Sequence, residues 1–212
     1  MASLSGNLAL VPKDYLQFFY YCLNLLNILL SLLLLNQSMS IVTFSNGLKQ
    51  KFDISADTPP ATQAIEAANR WLNQCIPFAE AIAASAAISS ACRWAAVSRL
   101  IPNSSQVEIL ALYDNGKFVD CFSYDFNKTP CAEVLGQEKF CFFRDAQRAF
   151  PDDPDLEVMG VSDYAGLAFS RSAERIDGHI FVMHDSPLEK YLEVEDVLMS
   201  MVALIKLEWR EG

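Results

Sequence analysis

The tetrapeptide Asp114-Asn115-Gly116-Lys117 limits the possible folds of this 212-residue chain more than any other feature. An Asn-Gly pair suits the left-handed positions of a tight hairpin turn, and here it joins two β-rich stretches. Before the turn, Val107, Ile109, Ala111 and Tyr113 alternate as one face of a strand. After it, the run Phe118 to Tyr124 alternates Phe118, Asp120, Phe122 and Tyr124 against Val119, Cys121 and Ser123. The middle of the chain is thereby committed to an antiparallel sheet. A further β-tolerant run, Arg93 to Ile101, turns at Pro102-Asn103-Ser104-Ser105 and makes the sheet a three-strand meander.

The flanking segments have a helical period. Ile65, Ala68, Leu72 and Cys75/Ile76 recur at three- and four-residue steps, and Phe78, Ala79, Ile82, Ala83 and Ala86 resume the stripe as far as Ser89-Ser90. Pro77 between them predicts a kink or a new helix, since it has no N–H to donate. From Asn127 to Gly160 the pattern is of short helical pieces, with one short strand at Phe140 to Phe143. Thr129-Pro130 and Asp153-Pro154 both read as helix starts. Strands at Tyr164 to Phe169 and His179 to His184 flank a turn with Asp177-Gly178, and a long helix runs from Leu188 to about Arg210. This order predicts an α+β domain: one antiparallel sheet of about five to six strands with flanking N- and C-terminal helices.

The domain accounts for residues 61–212, preceded by a linker at 39–60 and a hydrophobic segment at 1–38. Within that segment Tyr15 to Leu35 has no charged residue over 21 positions, long enough for one transmembrane helix. Gln17, Asn24 and Asn27 weigh against a span, because lone amides lack partners in lipid. A buried helix, or an upstream stretch absent from the product if translation starts at Met39, are the other readings. If the segment spans, Lys49 and Lys51 place the following domain on the cytoplasmic side of an inner membrane; a start at Met39 gives a soluble cytoplasmic protein. The formal net charge is -10, and residues 1–52 carry Lys13, Lys49 and Lys51 against Asp14. The acidity therefore lies in the remainder, which argues against a nucleic-acid partner. Six Cys in a chain of this length do not make a secreted disulfide scaffold.

An ordered set of motifs runs along the predicted domain. Tyr124-Asp125-Phe126 is followed by Thr129-Pro130-Cys131 with Val134-Leu135, then Cys141, then Phe150-Pro151-Asp152. Leu156, Gly160-Val161, Tyr164-x-Gly166, Gly178-His179-x-x-Val182 and Pro187-Leu188 complete the set. Through these, Phe78 to Leu188 resembles a GAF domain of the bacterial sensory-protein type. Ala168 departs from the pattern, where the family commonly has Pro. The resemblance implies a twisted antiparallel sheet, helices on one face that form a dimer surface, and a small-ligand pocket on the other. It further implies a regulatory role, with ligands that range from cyclic nucleotides, tetrapyrroles and haem to amino acids or none. The cofactor is left unknown.

The pocket region of the family corresponds to the aromatic residues Phe122, Tyr124, Phe143, Phe150 and Tyr164. Aromatic walls with a few polar tips suit a small planar or apolar ligand, although the same side chains also make plain core. Cys131, at a helix start, has a position that can favour the thiolate. With Cys141 it suggests a redox pair; two buried thiols packing against Phe122, Phe142 and Phe143 is the preferred reading. The candidate ligand-binding residues are Phe122, Tyr124, Cys131, Cys141, Phe143 and Tyr164. No catalytic or metal-binding set is assigned. His179 and His184 lie five apart on one strand and so face opposite sides. Asp152, Asp153, Asp155 and Glu157 read as a solvated helix start.

The function expected is sensory or regulatory rather than enzymatic: a domain that binds an unidentified small molecule or mediates dimerisation in signal transduction. With no output domain expected behind the last helix, the signal passes to a separate output protein or through a homodimer. The dimer is placed on the terminal helices, because Leu192, Val194, Val197, Leu198, Met201, Val202, Leu204, Ile205, Leu207 and Trp209 exceed one apolar stripe. One alternative is a small thiol-dependent reductase using pocket cysteines, like the GAF proteins that reduce free methionine sulfoxide. Another is a degenerate interaction module with no ligand.

Overall fold

The computed structural model describes residues 58–137, 139–170 and 175–208. The hydrophobic segment and nearly all of the linker lie outside them. In chain order the elements are α1 (Pro60–Asn73), α2 (Phe78–Ser89), β1 (Trp94–Leu100), β2 (Gln106–Asp114), β3 (Lys117–Val119), β4 (Ser123–Asp125) and α3 (Pro130–Gln137). Then follow β5 (Cys141–Phe143), α4 (Ala146–Ala149), α5 (Pro154–Met159), β6 (Asp163–Phe169), β7 (Gly178–His184) and α6 (Tyr191–Glu208). All strand pairings are antiparallel, in the order β3-β2-β1-β7-β6-β5, with β4 pairing further along β2. The α+β architecture read from the sequence is what folds.

Pro77 starts a new helix rather than kinking one: the backbone turns through Cys75, at φ 60°, and α2 opens at Phe78. Every residue of α2 from Ala81 to Ala87 is buried. A helix hidden on all sides must be apolar all round, and six of these seven residues are Ala or Ile. α2 packs on β1 and β2, α6 packs on β6, and α1 lies against both helices. The sheet thus has α2 and α6 on one face, with α1 packed against both on that side. α6 opens at Tyr191, later than the Leu188 expected, because Leu188 is held by side chains at both its N–H and its carbonyl.

The expected dimer face of α6 is largely used inside the chain. Val194, Val197, Leu198, Met201, Val202, Leu204 and Ile205 are all buried, while Leu192 and Leu207 remain exposed. Mutual burial against α1 and the sheet accounts for most of the apolar excess.

Two details of the meander differ from the alternating pattern. Val97 pairs with Ala111 but Ser98 pairs with Ile109, so Leu110 is an extra residue, a β-bulge. The bulge puts Val107, Ile109 and Leu112 on one face and moves Ala111 and Tyr113 to the other. The four residues taken as one face are therefore split. Opposite the bulge the return strand breaks into β3 and β4, and the Cys121 thiol donates to the Leu110 carbonyl at 3.3 Å. The sheet accordingly has seven strands. The hairpin turn itself is as expected, with Asn115 at φ 43° and Gly116 at φ 97°.

Candidate functional site

The face opposite the three helices carries Trp94, Ala96 and Ser98 from β1, Ile109 and Leu112 from β2, and His179, Phe181 and Met183 from β7. β6 adds Tyr164, Gly166 and Ala168, and β5 adds Cys141 and Phe143. α3 stands over this face, packed on β6 and β7. Its close approach depends on Gly166, where an added Cβ would come within 2.8 Å of Val134 Cγ2 and 3.0 Å of Tyr164 Cε1.

Cys131 occupies the first turn of α3, and its thiol lies between two phenols, 2.9 Å from Tyr124 Oη and 3.3 Å from Tyr164 Oη. Burial pushes the Cys131 thiol up, against hydrogen bonds from Tyr124 and Tyr164 that pull it down. Burial likewise raises both tyrosines above the ordinary phenol value. The three groups form a neutral network in which each satisfies another. This environment favours the reading of Cys131 as a buried thiol, since removal from water outweighs any pull toward the thiolate at the helix start.

Tyr164 stacks on Phe181 (centroids 5.3 Å, 17° between planes), and Phe181 stacks on His179 (5.1 Å, 21°). Phe143 lies 6.2 Å from Tyr164 and meets Phe150 edge-on at 4.8 Å. His179 is fully buried. Its Nδ1 is 2.5 Å from Ser98 Oγ, which also bonds the His179 carbonyl at 3.1 Å. Its Nε2 has no hydrogen-bond partner among the described residues. Burial lowers the imidazole pKa to about 3, so the ring is neutral. A neutral ring with one nitrogen engaged presents a single donor or acceptor at the other.

Of the residues selected from the sequence, Tyr124, Cys131 and Tyr164 are in mutual contact. Phe143 adjoins Tyr164, and Cys141 is buried in the same cluster. Phe122 is not brought in. It is 44% exposed at the sheet edge, beside the break between β3 and β4, with its ring 6.0 Å from Tyr124. Sequence reasoning missed Phe181 and Ser98, and the hydrogen-bond partner of His179 lies on another strand. The signal was present in β7, where His179, Phe181 and Met183 alternate as one face. Only the placement of β7 between β1 and β6 makes that face the centre of the layer. Asp153 caps α5 as expected, accepting from the Asp155 N–H at 3.1 Å. Among the described residues, no three His, Cys, Asp or Glu side chains come together in a way that could hold a metal ion.

No family model matches the sequence, and no curated protein matches it. Solved structures do. The chromophore-binding domain of Stigmatella aurantiaca phytochrome P1 is similar with a TM-score of 0.54 and 12% identity, over 75% of this chain and 63% of that one. A protein designated a GAF sensor from Burkholderia vietnamiensis gives 0.51 and 16%, over 68% and 90%. The GAF domain of an Acinetobacter phosphoenolpyruvate-protein phosphotransferase gives 0.50 and 10%, over 68% and 90%. The described domain therefore has a GAF-like fold.

Proposed function

We propose that this chain is a non-enzymatic sensory or regulatory domain whose α3-side layer receives a small, largely planar ligand. The observation that carries the reading is the stack Tyr164–Phe181–His179, which ends in a buried imidazole nitrogen with no partner among the described residues. An unmet buried polar group costs about 1–3 kcal/mol, and a ligand carrying one polar group beside an apolar ring removes that cost. The GAF-like fold supports a sensing role by analogy only. The reductase alternative is disfavoured by the buried, raised Cys131 thiol, since thiolate chemistry needs the opposite environment. Self-association through the terminal helices belongs to the same reading, over the part of α6 that its own chain leaves exposed.

The test is retention from a host small-molecule extract passed over the immobilised full chain, with His179→Leu and Phe181→Ala run alongside. A compound held by the wild-type chain and released by both variants is the expected result. Equal retention by all three chains would overturn the assignment of the site. Consumption of methionine sulfoxide with a thiol reductant would instead favour the enzyme.

A further inference from the structure

We infer that Asp163 and Arg144 form a strap that ties the roof of the aromatic layer to the run-in of α6, so that displacement at either end is passed to the other. The use of this strap to report a ligand rests on the function proposed above; the strap itself rests on geometry alone. Asp163, the first residue of β6, has no exposed surface. Its Oδ1 accepts from the Asp145 N–H and the Ser162 hydroxyl, each at 3.2 Å, and its Oδ2 accepts from the Leu188 N–H at 2.8 Å. Arg144 Nε lies 3.9 Å from Oδ2, and its Nη2 donates to the Leu188 carbonyl at 3.2 Å. Both backbone groups of Leu188 are therefore held by this pair.

The strap continues in both directions. Toward the helix, the Arg144 guanidinium lies 5.8 Å from the Phe142 ring, and Phe142 stacks on Tyr191, the first residue of α6, at 5.1 Å and 16°. Toward the layer, Asp145 stands in the left-handed region at φ 53° and starts α4, which leads to Phe150. Phe150 closes on Phe143, and Phe143 on Tyr164. Moving one end alone would leave a buried carboxyl oxygen or backbone group without its partner. The arrangement therefore favours moving both ends or neither, which is how a packed structure turns a small shift into a switch.

Amide hydrogen exchange on the full chain tests this without any ligand. Tyr191→Ala alters a half-exposed ring at the helix end and should speed exchange at residues 146–150 by about fivefold or more. Phe150→Ala alters the roof and should do the same at residues 188–194. Amides of β1 and β2 should be unchanged in both. Arg144→Ala should release both segments together. Effects confined to the end that was altered would overturn the strap. Coupled exchange in a chain that retains no small molecule would keep the strap and reject the ligand, whereas a retained compound with uncoupled exchange would do the reverse.

Discussion

His179 is kept neutral by burial, and this has a consequence for stability. Its folded-state pKa is lowered to about 3 from the ordinary 6.5. Between those values the unfolded chain binds more protons than the folded one, so stability is full above about pH 6.5 and falls as the pH drops below it. The slope reaches about 1.4 kcal/mol per pH unit, or roughly 2 kcal/mol between pH 6.5 and 5. Urea unfolding at pH 7.5 and pH 5 should show this loss in the wild-type chain, and the loss should shrink by that amount in His179→Leu. An equal pH dependence in both would mean that the imidazole is not buried neutral. The cysteines give a second expectation. Cys75 and Cys121 are exposed, Cys131 is buried with its pKa raised, and Cys92 is pushed up to about 11. Iodoacetamide followed by peptide mass spectrometry should label Cys75 and Cys121 first, and early labelling of Cys131 would contradict the buried network. At this level the sequence was informative about types and weak about partners. Tyr124, Cys131 and Tyr164 were named from their motifs. The Ser98–His179 bond spans 81 positions and has no local signature.

Secondary structure was legible where turn chemistry or a proline set it. Pro77, Asn115-Gly116 and Asp153-Pro154 each mark a boundary that the structure keeps. The bulge at Leu110 was not legible, because Ile109 to Tyr113 is apolar at every position and only pairing with β1 and β4 exposes the extra residue. Phe122 sits in the gap between β3 and β4 and is exposed there. Helix–sheet contact on the site face depends on Gly166. Gly166→Ala should lose about 1–3 kcal/mol by forcing Val134 or Tyr164 aside, measured by denaturant unfolding; no change in midpoint would show that α3 sits farther off than described. On the other face, Leu198 is fully buried against its own chain. Leu198→Ala should cost about 2–5 kcal/mol. A stable, folded variant that merely loses self-association would instead place that side chain at an interface between copies.

The whole domain is a sheet with two different faces. Two helices, α2 and α6, bury one face through small and aliphatic side chains with α1 packed against them, and the short helix α3 covers an aromatic layer on the other. Overall architecture was readable from periodicity together with turn and proline signals, which mark where one element ends and the next begins. The ligand is not readable that way, since aromatic core and aromatic pocket share one pattern until a polar atom is found without a partner. Among the described residues no helix is long and apolar enough to cross a membrane, and Tyr15 to Leu35 lies outside them. Fractionation of the full chain tests that segment separately: recovery in the membrane fraction is expected of a span, and complete recovery in the soluble fraction would exclude one. A small molecule held in the α3-side layer would travel with the folded chain. Native mass spectrometry of the full chain, isolated gently from its own host, tests for it most directly. The expected result is a single non-covalent adduct per chain that disappears on denaturation and is absent from His179→Leu. Only the mass of the bare chain, in every folded charge state, would contradict it.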